Sequence, residues 1–233
     1  MPAKVKPKIR IKIPTKEEIE QQKKELLKYQ KELREKRTPK YFRKRKSYKA
    51  VKEAILRINN IKHQAFVALV YATMGRIGEV VRHSKDKPKQ EKNWINPPIS
   101  KEDIIKKKTK KGKRLIVISL FTEKVRKPRV VVIPYEKEKW LGNIILRYTK
   151  LSEEYYLFNK SVRWGQLVFK KYFGTQNIHV LRHYRITHWL SGEVTGKPVR
   201  ERIVARMAGH TSISTQAHHY DHTIFEDYED EIY

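Results

Sequence analysis

His179 and Arg182 stand three residues apart in HVLRH, where a stretch with apolar residues at helical spacing begins. That spacing puts both side chains on one helix face, and the unpaired N–H groups of a helix start favour an anion beside them. GHTSISTQAHHYDH follows, with His210 and then Tyr220 ten residues on. Upstream, YATMGRIGEVV carries Arg76 and Glu79, and EKVRKPRVVVIP carries Lys124, Lys127 and Arg129. Guanidinium and ammonium groups hold anions, imidazole exchanges protons near neutrality, and a phenol oxygen can attack. Together these types suit nucleophilic attack at an anionic centre whose growing charge is held by cations.

Taken singly, each has an ordinary explanation. Among 54 Lys and Arg, Arg76 alone reads as a surface or phosphate-contact arginine, and Lys124 competes with Lys127 and with the lysines between Lys108 and Lys113. His179 alone reads as a capping or core histidine, and Tyr220 is one of 13 tyrosines. The cluster His210, His218, His219 and His222 also allows a metal site, with His218 and His222 at the four-residue spacing of helical ligands. No carboxylate or further ligand falls at a familiar spacing, so no metal is expected.

Order decides among these readings. H-x-x-R, then G-H, then Tyr resembles the catalytic box of the tyrosine recombinases, or phage integrases. MGRIGE is similar to the family's T-G-x-R-x-x-E motif and places Arg76 and Glu79 in it. EKVRKPRVVVIP resembles the turn G-K-x-x-K-x-R-x-V-P, and laying Lys127 and Arg129 on the later K and R puts Lys124 on the lysine that acts there. The resemblance spans residues 48–222 and implies a catalytic set of Arg76, Lys124, His179, Arg182, His210 and Tyr220. It implies that Tyr220 attacks a DNA phosphate to form a 3′-phosphotyrosine link. Arg76 and Arg182 would clamp the nonbridging oxygens, with His210 adding a hydrogen bond. His179 would manage the tyrosine proton and Lys124 protonate the leaving 5′-oxygen. No metal, ATP or other cofactor is expected, because the link conserves the phosphodiester energy. Two neighbouring functions use the same features: relaxation of DNA like a type IB topoisomerase, and DNA binding by an accessory protein without catalysis.

The chain departs from the family pattern in three places. Between Arg182 and His210, SGEVTGKPVRER reads as an inserted turn, and the interval from His210 to Tyr220 is one residue longer than the family's, which keeps Tyr228 and Tyr233 as alternatives. Some 47 residues precede the catalytic region, where the family generally carries a separate helical domain.

The elements that must position these residues follow from periodicity. Tyr48 to Met74 predicts two core helices, and helices are expected over Trp140–Leu151, Val162–Phe173, Val180–Leu190 and Val199–Met207. LIVISLF (Leu115 to Phe121) and VVVIP (Val130 to Pro134) are β-branched runs around a basic loop, the pattern of a hairpin. The fold expected is mainly α with a small antiparallel sheet, an α+β domain like the tyrosine recombinase catalytic domain. Residues 83–103 read as a polar insertion. Before the domain, residues 1–47 form a basic arm and a charged helix that starts at Thr15, with Glu18 at capping-box spacing. Residues 223–233 form an acidic tail, expected to find a basic surface on its own protomer or the next.

A formal charge of +29 makes a polyanion the expected partner, and double-stranded DNA the first choice. Lys40, Arg43, Lys44, Arg45, Lys127 and Arg129 are candidate phosphate contacts. Self-association on DNA as a dimer or tetramer is expected from the resemblance. No apolar run approaches the ~20 residues of a membrane-spanning helix. The absence of cysteine excludes disulfides and thiolate chemistry. The expected location is the cytoplasm, on the nucleoid, with a virus or mobile element as a source.

Overall fold

Ala65 to Thr73 are buried without interruption in the computed structural model, so the helix that carries them is the centre of the packing. A helix apolar all round has no solvent face to offer and must be enclosed by others. The structure describes residues 46–84, 94–122 and 127–209, together with Glu20, Gln21, Lys24, Glu25 and Lys28, which are helical and exposed. The chain divides into two compact units, Met1–Arg45 and Lys46–Tyr233.

In the second unit, α1 (Tyr48–Leu56) starts at Ser47, whose Oγ accepts from Ala50 N at 3.3 Å. The central α2 (Ile61–Thr73) starts at Asn60, whose side chain accepts from His63 N at 3.0 Å. Both are N-caps that satisfy amides the helix cannot. The short α3 (Ile77–Val80) follows, then the backbone pair β1 (His83–Ser84) and β2 (Trp94–Asn96). The stretch expected as a polar insertion therefore contains paired strands. It also holds buried Ile99 and Ser100, with Ser100 N bonded to the Asp103 carboxylate at 2.8 Å.

Strands β3 (Ile104–Lys108), β4 (Arg114–Phe121) and β5 (Pro128–Pro134) form one antiparallel sheet with β4 in the middle. The predicted hairpin is β4–β5, in register at Val117 and Val132. Strand β3 joins it as an edge, buried at Ile104 and exposed from Ile105 to Lys108.

Helices α4 (Lys139–Leu151), α5 (Val162–Phe173), α6 (His179–Leu190) and α7 (Glu201–Ala208) complete the unit. The last was expected from Val199. It begins later because Val199 N donates to Trp189 O at 3.2 Å and Arg200 is extended. Helices α4 and α6 pack on α2, while α7 packs on α6 and β5. The architecture is thus mainly helical, with one three-stranded antiparallel sheet and the short β1–β2 pair. Among the described residues no helix is long and apolar enough to cross a membrane.

Candidate active site

The end of α2 builds the site. Met74 takes a left-handed turn at φ 51°, and Arg76 then occupies the extended N-cap position of α3. Gly75 lies between them in a tight space, where a Cβ would fall 2.7 Å from Thr73 Oγ1. Arg76 N donates to one Glu79 oxygen at 3.2 Å, and Arg76 Nη1 lies 3.3 Å from the other. Glu79 itself is buried.

Two more arginines converge there from other elements. Arg129 on β5 donates through Nη2 to Glu79 Oε2 at 2.6 Å, and through Nη1 to Thr73 O at 2.9 Å and to Met207 O. Arg182 on α6, only 2% exposed, donates to Met74 O. These carbonyls belong to the C-terminal turns of α2 and α7, where no intrahelical N–H is left to bond them and the helix end is negative. Arginine meets both needs, so the two helix ends are drawn to the guanidinium groups.

Three guanidinium groups around one carboxylate leave the pocket positive. Burial lowers the Arg182 pKa to about 10, and the charges of Arg129 and Arg76 add to this while Glu79 opposes it. The group remains a cation at neutral pH, under a repulsion that an anion in the pocket would relieve. Arg129 is likewise lowered, first by burial. His179 stands near the start of α6, its ring centre 4.9 Å from that of His183. Burial of part of the ring, then the charges of His183, Arg182 and Arg76, lower His179 to about 4. Its imidazole is therefore neutral at pH 7 and able to accept a proton.

Arg76, His179 and Arg182 are thus brought into one site, joined by Glu79. Lys127 is exposed at the foot of the β4–β5 turn. Arg129, expected among the phosphate contacts, is buried, with its guanidinium bonded to Glu79 and to carbonyls at two helix ends. Lys124, His210 and Tyr220 lie outside the described residues, as do Lys40, Arg43, Lys44, Arg45 and the cluster His218, His219 and His222. Among the described residues no three His, Asp or Glu side chains come together as a metal centre.

The neighbours of two of these residues are in view. Thr122 N bonds Lys127 O at 2.9 Å, so the residues that flank the undescribed segment 123–126 are paired. Gly209 ends α7 at φ 68°, and a Cβ there would lie 2.9 Å from both Arg129 Cδ and Thr122 Cγ2. The residue before His210 therefore sits against the residue two before Lys124.

Below the site lies a buried network that sequence reasoning passed over. Arg185 Nη1 and Nη2 donate to Glu138 at 2.5 and 2.6 Å, and Tyr48 OH joins Glu138 at 3.0 Å. Desolvation alone would lower the Arg185 pKa, but the Glu138 carboxylate outweighs it and raises it. His188 pairs Tyr71 OH at 2.8 Å and Lys46 O at 2.9 Å, which fixes Nε2 as the donor and Nδ1 as the acceptor. The one sequence signal was the recurrence of Arg182, Arg185 and Trp189 at helical spacing, a polar stripe on a buried face.

Comparison with known proteins adds the following. No protein-family model matches the chain, and no curated protein matches it in sequence. Among solved structures it is similar to the XerH site-specific recombinase bound to its difH substrate in a pre-cleavage complex. There the identity is 13% and the TM-score 0.44, with 77% of this chain and 49% of that chain covered. It is also similar to the FLP recombinase in a Holliday junction complex, at 13% identity and a TM-score of 0.45, covering 87% of this chain and 52% of that one. Both structural neighbours are recombinases, and this chain spans about half the length of each.

Proposed function

We propose that this chain is a site-specific DNA recombinase or integrase that cleaves and rejoins duplex DNA through Tyr220. The observation that supports it most is the arginine cluster. Arg76 and Arg182, held at a helix end with Glu79 as the one carboxylate among the described residues there, form a preorganised cationic pocket beside a neutral histidine. A scissile phosphate in that pocket relieves the repulsion, and its charge moves the His179 pKa upward from about 4.

The chemistry then runs as a transesterification. The phenol oxygen of Tyr220 bonds to phosphorus while His179 takes its proton, and the bond from phosphorus to the 5′-oxygen breaks as Lys124 gives that oxygen a proton. Arg76, Arg182 and His210 hold the nonbridging oxygens. The 3′-phosphotyrosine link is undone when a 5′-hydroxyl attacks it and Tyr220 regains a proton. The phosphodiester energy is kept in the link, so no ATP is needed, and the cationic side chains supply the charge stabilisation for which a metal would otherwise be used. Two or four copies act together on DNA, with Lys127 and the basic residues Lys40, Arg43, Lys44 and Arg45 contacting phosphates.

A nicked suicide duplex of the attachment site, run on a denaturing gel after incubation with the protein, tests this. A covalent adduct is expected, and it should vanish in Tyr220→Phe. Binding without an adduct across a range of sites would instead make the chain a DNA-binding accessory factor. An adduct accompanied by supercoil relaxation, without pairing of two sites, would make it a topoisomerase.

A further inference from the structure

The end of the sheet remote from the arginine cluster carries a second concentration of charge. Residues 106–114, KKKTKKGKR, hold seven cations and no carboxylate. Lys106, Lys107, Lys108, Lys110, Lys111, Lys113 and Arg114 are all exposed. They sit on β3, on the first residue of β4 and on the turn between. That turn is ordered: Thr109 N bonds Lys113 O at 2.8 Å, Lys113 N bonds Thr109 Oγ1 at 3.0 Å, and Gly112 supplies φ 77°. Beside it lies a cavity of about 290 Å³, lined among others by Lys106, Lys108, Arg114, Tyr135 and Leu146. Arg114 stacks over Tyr135 at 4.8 Å and also pairs Glu136 at 2.9 Å.

Lysines on an edge strand are an ordinary guard against strand-to-strand aggregation, and β3 is an edge. That accounts for Lys106 to Lys108. It does not account for three lysines in the turn, where there is no edge to guard, or for Arg114 on the middle strand. Seven cations on one short hairpin make a local concentration of positive charge, and a phosphate backbone laid against it releases its counterions. Because the turn is already ordered by its own hydrogen bonds, its backbone needs no further ordering to present the lysines.

We propose that the β3–β4 hairpin is a second binding site for the DNA phosphodiester backbone, apart from the arginine cluster. The eight residues of β4 separate the two sites by about 26 Å, at roughly 3.3 Å per residue. That distance is about 8 base pairs of duplex at roughly 3.4 Å each. The backbone is either the flank of the cleaved duplex or a second duplex brought alongside. The proposal rests on the reading that the chain binds DNA, and it is independent of whether Tyr220 cleaves.

The test compares the full chain with the variant Lys108→Gln, Lys110→Gln, Lys111→Gln, Lys113→Gln. Affinity for a loop-closed 6-base-pair duplex, too short to span the two sites, and for a 30-base-pair duplex is measured against salt by fluorescence anisotropy. Capture of a second labelled duplex on a bead-bound first one is measured beside it. If the flank of one duplex is held, the wild-type salt slope is steeper on the long DNA. In the variant it then falls by about 2 or more, towards the slope on the short DNA. If a second duplex is held, the slopes stay put and capture falls at least tenfold in the variant. Unchanged slopes together with unchanged capture overturn the hairpin site, even where wild type still binds and forms the adduct. So does an equal loss in a variant with four exposed lysines neutralised elsewhere, or a change confined to self-association without DNA. Failure of the wild type to bind any DNA overturns both readings. Should the quadruple variant fold poorly, Lys110→Gln with Lys111→Gln at the turn tip is expected to give about half the effect.

Discussion

His179 is the residue whose environment gives the most direct prediction. Its pKa falls from the ordinary 6.5 to about 4, because burial and the charges of His183, Arg182 and Arg76 disfavour the imidazolium. The folded chain therefore takes up this proton near pH 4 and the unfolded chain near 6.5, so stability from this group is present above about pH 6.5 and lost as pH falls towards 4. The same sign governs cleavage. At low DNA concentration the rate should hold down to about pH 4 instead of halving near 6.5, and His179→Gln should remove that acid limb. A limb near 6.5 in the wild type, read by adduct formation with protein and DNA both well below the dissociation constant, would contradict the role. The motif order in the sequence singled out His179, Arg182 and Arg76, but the sequence offered no means to tell Arg129 from Lys127. One is exposed before β5 and the other buried within it, and that difference depends on Thr73 and Met207, 56 and 78 residues away.

At the scale of elements, the site is held by the ends of helices. Gly209 terminates α7 in a left-handed conformation that costs a side-chain-bearing residue about 1–2 kcal/mol. A Cβ there also meets Arg129 and Thr122. Gly209→Ala should cut adduct formation at least tenfold, with DNA affinity within about threefold of wild type, as gel and anisotropy measurements would show. Helix α6 is fixed from below by the Arg185–Glu138 pair, both fully buried. Glu138→Gln leaves the Arg185 charge unmatched and should cost about 3–5 kcal/mol in chemical denaturation. Glu138→Leu combined with Arg185→Met should recover much of that loss, because no charge is then left buried. Helix positions were legible in the sequence because apolar periodicity is local. Strand β3 was not, since Ile104 is its one buried residue and its lysines look like a loop.

The whole molecule carries +29, and its chain divides at Arg45 and Lys46. Residues from Lys46 onward belong to the second unit, where His188 holds Lys46 O at 2.9 Å and Glu193 accepts from Tyr48 N at 2.8 Å. Removing residues 1–40 should therefore leave the thermal unfolding midpoint unchanged within about 2 °C. It should weaken DNA binding and flatten its salt dependence, since the basic arm and Lys40 are removed with it. A lowered midpoint with an unchanged slope would assign those residues to the fold instead. The sequence by itself determined the residue types, their order, the helical periods and the net positive charge, because each is written in local spacing or in summed charge. The tertiary structure decided which arginines are buried, which helix ends they close and how Glu79 joins them. Those choices depend on free carbonyls and a low-dielectric interior that exist only once distant segments have packed together.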